Sequence, residues 1–61
     1  EYMKMYMVYM LCKQKIERGQ YDSKEKMQEM LDVFYVGERL TTEEYQELTA
    51  LLEQKEAEKE Q

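Results

Sequence analysis

EYMKMYMVYMLC, residues 1–12, opens the chain and decides how it folds. From Met5 to Cys12 the only polar side-chain groups are the hydroxyls of two tyrosines. A helix that is apolar on every side has to be covered on more than one side. The chain has 61 residues, and chains near this size bury only about 60% of the surface that their unfolded form exposes, so their stability is marginal. This stretch therefore predicts that a partner covers part of the first helix.

A β-strand is the alternative structure for the same stretch. Tyrosine and valine suit extended backbone, and a short apolar run does not by itself distinguish strand from helix. We favour a helix because methionine, leucine and lysine have high helix propensity. In addition, the rest of the chain offers no second strand with which a first one could pair.

Helix start and stop signals divide the chain into three helices, at about 2–18, 23–36 and 42–57. Gly19 follows a basic segment and can supply the left-handed residue that ends a helix. We expect Gly37 to end the second helix in the same way. Residues 22–25 (DSKE) and 41–44 (TTEE) each offer an N-cap oxygen with a glutamate three residues on, which is the pattern of a capping box.

Apolar side chains recur at helical spacing within these segments, which predicts an all-α fold, a small bundle of three helices completed by self-association. Helix 1 has two opposite apolar lines, of which helices 2 and 3 can cover one. The predicted core is Met5, Tyr9, Ile16, Met27, Leu31, Phe34, Leu48, Leu51 and Leu52. The predicted interface is Tyr2, Met3, Tyr6, Met7, Met10 and Leu11. Residues 1–52 form the single predicted domain, and residues 53–61, which lack an apolar face, form a solvated charged helical tail.

Charge and length argue against two classes of partner. The net charge is −5, with four basic and two acidic groups in residues 1–18 but five basic and twelve acidic groups in residues 19–61. An acidic chain without a basic stripe repels phosphate backbones, so we expect no nucleic-acid binding. The apolar run falls short of the roughly 20 residues that span a bilayer and has no features of a signal peptide, so a membrane role is disfavoured.

No catalytic, cofactor-binding or metal-binding site can be assembled from the residue types present. The chain has no histidine and a single cysteine, Cys12, which excludes a disulfide within the chain and disfavours a zinc site. With apolar neighbours, Cys12 is expected to be an unreactive core residue, with a disulfide between two copies as the alternative under oxidation. Glu43, Glu44 and Glu47 are interpreted as charges that complement the start of the third helix. The sequence therefore predicts a protein that is not an enzyme.

Part of the chain resembles known short phage proteins. The segments 19-GQY-21, 33-VFYVG-37 and 40-LTTEEYQELT-49 are similar to the XkdX-like family, and residues 37–52 also resemble the SHOCT-like short C-terminal helical module. The first resemblance implies a small protein encoded among phage or prophage tail genes, with no catalytic residues to carry over. The second implies an oligomerisation or interaction module.

These observations predict a structural or assembly-accessory protein of phage or prophage type that self-associates through helix 1. A homo-oligomer is expected, with a dimer favoured, in the cytoplasm of a bacterial host or associated with the virion. The alternative is a regulatory module that binds a host or phage protein through the same apolar face.

Overall fold

The computed structural model describes the backbone of residues 2–59 and the side chains of residues 7–59. Three α-helices make up this part of the chain: α1 is Tyr2–Arg18, α2 is Lys24–Val36 and α3 is Thr42–Lys59. The prediction of an all-α bundle is confirmed, and the first segment is a helix rather than a strand. The helix ends lie within two residues of the predicted ones.

The two helix starts use the predicted cap positions to different extents. Thr41 and Glu44 form a complete capping box, in which the Glu44 amide donates to Thr41 Oγ1 at 3.1 Å and the Thr41 amide donates to Glu44 Oε1 at 3.0 Å. At α2 the predicted cap residue, Asp22, lies one position too early: the N-cap is Ser23, whose Oγ accepts from the Lys26 amide at 3.1 Å. Because the residue three positions after Ser23 is a lysine, no side chain returns the bond, and this capping box is only half formed.

A residue in the left-handed conformation follows both α1 and α2, but it is a glycine only after α1. Gly19 has φ +65° after α1, as predicted. The prediction for Gly37 was wrong, because Gly37 has φ −77° and the left-handed residue is Glu38, with φ +63°. The Arg39 amide donates to the Phe34 carbonyl at 2.8 Å, which closes the wider bond of a Schellman motif. Helix α2 still ends at Val36, as predicted, with Gly37 as its C-cap; only the left-handed residue lies one position later than expected. The turn that follows buries Leu40.

Contacts along α3 define an up-down-up arrangement. Helix α2 runs antiparallel to α3, since Lys24 lies beside Glu53 and Tyr35 beside Thr42. Helix α1 runs parallel to α3, since Tyr9 bonds Glu47 and Tyr21, just after α1, bonds Glu56. Helix α3 packs against both other helices and is the central element of the bundle.

The core lies where the three helices meet. Its buried residues are Val8, Cys12, Ile16, Met27, Leu31, Leu40, Leu48 and Leu52. Five predicted core residues are among them, while Tyr9, Phe34 and Leu51 pack partly buried at its edge, and the side chain of Met5 lies outside the described residues. Cys12 is a core residue as expected. The sequence reasoning missed Val8 and Leu40, because the first lies between the two apolar lines of helix 1 and the second lies outside any helix.

Candidate interaction surface

Helix α1 presents its two apolar lines in opposite directions. Cys12 and Ile16 point into the core. Met7 and Leu11 lie on the outer side, with 56% and 57% of their surfaces exposed, and Met10 is half-buried. Of the predicted interface, the side chains of Tyr2, Met3 and Tyr6 lie outside the described residues. The structure thus places Met7 and Leu11 on one exposed face, and their contact with a partner stays a prediction.

Helix α2 contributes exposed apolar residues that the sequence reasoning did not include. Val33 is 63% exposed and Val36 is 81% exposed. Both valines lie outside the apolar stripe that packs α2 onto the core. An apolar residue outside that stripe is the feature of the sequence from which their exposure could have been predicted. Because α1 begins where α2 ends, these valines lie at the same end of the bundle as Met7 and Leu11. At that end Met7, Val8, Leu11 and Arg39 line a shallow depression of about 350 Å³.

The opposite end of the bundle is charged. The Tyr21 hydroxyl donates to Glu56 Oε2 at 2.6 Å, and Lys59 Nζ lies 3.0 Å from the same oxygen and 4.5 Å from the centre of the Tyr21 ring. The hydrogen bond from Tyr21, with that from Lys59, lowers the pKa of Glu56. Residues 53–59 therefore contact the turn after α1 in addition to continuing α3, which their charged composition had not indicated.

A tyrosine and a lysine connect α1 to α3. The Tyr9 hydroxyl donates to Glu47, and Lys13 Nζ lies 3.5 Å from Glu47 Oε2. The hydrogen bond to Glu47 raises the pKa of Tyr9, and the hydrogen bond to the Tyr9 hydroxyl raises the pKa of Lys13. Glu47 is thus a bonding partner of α1, in addition to its interpreted role as a charge near the start of α3.

A second polar cluster connects α2 to α3. The Tyr45 hydroxyl donates to Asp32 Oδ1 at 2.5 Å, and the Gln28 amide nitrogen lies 3.2 Å from the same oxygen. The Tyr45 ring stacks on Tyr35 with ring centres 4.5 Å apart. The hydrogen bond from Tyr45 is the main cause of the lowered pKa of Asp32, and the same bond raises the pKa of Tyr45. The polar atoms in the cleft between α2 and α3 thus bond one another.

Burial raises the pKa of the Cys12 thiol, so the thiol is mostly protonated at neutral pH. Among residues 7–59, no three side chains of His, Cys, Asp or Glu come together as a metal site would require. Within the described part of the chain, no helix has the length and apolar character needed to cross a membrane.

All the interhelical side-chain bonds described above end on α3. The exposed apolar residues Met7, Leu11, Val33 and Val36 lie on the sides of α1 and α2 that are turned away from α3, and none of these bonds involves them.

Comparison of the chain with protein-family models, with curated proteins and with solved structures gives no match.

Proposed function

We propose that this chain is a non-enzymatic structural or assembly-accessory protein of phage or prophage type that self-associates through α1. The observation that supports self-association most directly is the exposure of Met7 and Leu11 on one face of a helix. Small domains usually need a disulfide, a metal or an oligomer to be stable. This chain has one cysteine and no histidine, which leaves oligomerisation as the route.

The phage part of the proposal depends on sequence resemblance. Residues 19–49 resemble the XkdX-like family, and residues 37–52 resemble the SHOCT-like module. Both resemblances imply a small non-catalytic protein that works by contact with other chains, and both agree with an exposed apolar face on α1.

The test is the mass of the protein in solution, measured by light scattering after size exclusion, across a dilution series. We expect a discrete dimer that dissociates on dilution and loses helicity as it does so. Met7→Glu places a charge in the proposed interface, where it would be buried without a partner. Covering the exposed half of a methionine contributes about 1 kcal/mol per copy, so a symmetric dimer with two altered sites weakens by about 30-fold.

Ala50→Glu is the matched control, because it adds the same charge at an exposed position on α3. This variant should keep the mass and helicity of the parent protein. A parent chain that stays monomeric and helical at every concentration would contradict self-association. It would favour the alternative, a regulatory module whose α1 face binds a host or phage protein.

A further inference from the structure

We propose that Met7 is a redox switch on the outer face of α1, where peroxide converts its thioether to a sulfoxide and thereby blocks the self-association on which this proposal rests. Two conditions have to hold. Met7 has to be the sulfur that peroxide reaches first, and the oxidised side chain has to leave the fold of the single chain intact.

The sulfur-containing side chains of residues 7–59 differ widely in exposure. Met7 is 56% exposed, whereas Met27 is 1% exposed and Cys12 is 2% exposed. Met10 and Met30 are half-buried. Peroxide arrives from solvent, so the susceptibility of a sulfur to oxidation follows its exposure. Within the described side chains, Met7 is therefore the sulfur that peroxide reaches most readily.

Cys12 is the competing site, because an accessible thiolate is readily oxidised. In the folded chain its sulfur lies in the core with Ile16 and Leu48. Burial also raises the pKa of the thiol, so little of the reactive thiolate is present at neutral pH. Peroxide should therefore oxidise the methionine on the surface before it oxidises the cysteine in the core.

The reaction needs no group beyond peroxide and Met7. One oxygen of hydrogen peroxide forms a bond to the Met7 sulfur as the O–O bond breaks, and the other oxygen leaves as water. The sulfur loses two electrons and peroxide gains two. A methionine sulfoxide reductase reverses the step, since two thiols of the reductant become a disulfide while the oxygen leaves as water.

The sulfoxide changes the surface of α1 without changing the core. Met7 is not among the buried core residues, so its oxidation removes no core contact. Leu11, one turn further along α1, is 57% exposed on the same side of the helix. Oxidation therefore turns half of an exposed apolar pair into a polar group. Covering that group without a hydrogen bond is unfavourable.

Oxidation and self-association compete for the same side chain. A Met7 side chain that a second copy covers is shielded from peroxide, so the dissociated chain is the form that reacts. The rate of oxidation at Met7 should therefore rise as the protein is diluted. The rate at Met27 should stay constant on dilution as long as the helicity does, because the fold of the single chain shields that sulfur.

Peroxide treatment followed by peptide mapping tests the first condition. The protein carries Met3→Leu and Met5→Leu, because the side chains of these two residues lie outside the described part of the chain. We expect Met7 to gain an oxygen at least about tenfold faster than Met27 in the native protein, and both at similar rates in denaturant. Circular dichroism should show that protein oxidised at Met7 keeps its helices.

Light scattering tests the second step. Oxidation at Met7 should raise the dimer dissociation constant at least about 30-fold, because a symmetric dimer would cover two sulfoxides without bonds. Treatment with the reductase should restore the parent value. Met7→Leu in the same background is the matched control, since it keeps an apolar side chain of similar size and has no sulfur at this position. It should associate like the parent and stay associated in peroxide.

The outcomes separate the switch from the self-association on which it rests. If Met27 or Cys12 is oxidised as fast as Met7, or if protein fully oxidised at Met7 still dimerises, self-association stands and the switch is overturned. The same holds if peroxide dissociates the Met7→Leu variant as readily as the parent. If the chain is a monomer at all concentrations, both are overturned, even where Met7 is oxidised first.

Discussion

Glu38 occupies a backbone conformation that favours glycine, and replacing it tests the description of the second helix end. With φ +63°, a residue with a Cβ has an energy roughly 1–2 kcal/mol above its right-handed form. Glycine avoids this cost but gives the unfolded chain more freedom, which lowers stability by about 0.4–1 kcal/mol. Glu38→Gly should therefore stabilise the fold by about 0.5–1 kcal/mol.

The assay is thermal unfolding followed by circular dichroism at one fixed protein concentration, because the proposed self-association would make the midpoint depend on concentration. For a domain of this size the expected gain corresponds to a rise of about 4–8 °C in the unfolding midpoint. Glu38→Ala is the matched control, because it removes the same side chain beyond Cβ and keeps the strained φ. It should move the midpoint little.

Gly19 provides the reverse test. A Cβ built at Gly19 meets no atom within 4 Å, so Gly19→Ala changes only the backbone preference at φ +65°. It should lower the free energy of unfolding by about 0.5–1 kcal/mol. The reasoning is refuted if Glu38→Gly is no more stable than Glu38→Ala, because the left-handed residue would then not be residue 38.

Four further predictions address the core, one cap, the polar cluster and the thiol. Leu48→Ala should cost about 2–5 kcal/mol, a large part of the roughly 3–9 kcal/mol expected for 61 residues, so circular dichroism should show extensive loss of helix. Thr41→Ala should lower the free energy of denaturant unfolding by about 1 kcal/mol, and Thr41→Ser should restore it. Tyr45 lowers the pKa of Asp32 below its ordinary 3.8, so the stability that this carboxylate provides is present above that value and is lost as pH falls through the lower folded-state pKa. The stability of Asp32→Asn should fall less steeply below about pH 4 than that of the parent. Cys12 should react with a thiol reagent slowly in the native protein and rapidly in denaturant, and equal rates would contradict its burial.

The helices could be predicted because their signals are local. A cap such as Thr41 with Glu44 acts within four residues, and the spacing of Met27, Leu31 and Phe34 defines one helix face without knowledge of the rest of the fold. The buried line of α1 followed from the same spacing. These features depend on chain geometry alone, so one sequence suffices to place them.

The features that were not predicted are those in which the role of a residue depends on a partner far away in the sequence, or on which of two adjacent residues takes a given backbone conformation. The bond between Tyr9 and Glu47 spans 38 residues, so it cannot be predicted until the register of α1 against α3 is known. The left-handed position is Glu38 rather than Gly37, and the same turn places Leu40 in the core. The residues at the end of α2 do not by themselves distinguish between these two neighbouring positions. Val33 and Val36 went unnoticed because an isolated exposed valine is ordinary. Only the structure shows that these two valines lie at the same end of the bundle as Met7 and Leu11.

The distribution of polar bonds explains how one short chain can fold and still present an apolar surface. The tyrosine–carboxylate pairs at Glu47, Asp32 and Glu56 all lie on the sides of the helices that face α3. Each pair fixes α1, α2 or the turn between them to α3, and among residues 7–59 none of the interhelical side-chain bonds described above lies on the opposite side. In the self-association proposed above, a second copy would therefore cover Met7 and Leu11 at little cost in desolvated polar groups. The polar side-chain bonds described above thus stabilise the fold through α3, and they leave Met7 and Leu11 available for the self-association proposed above.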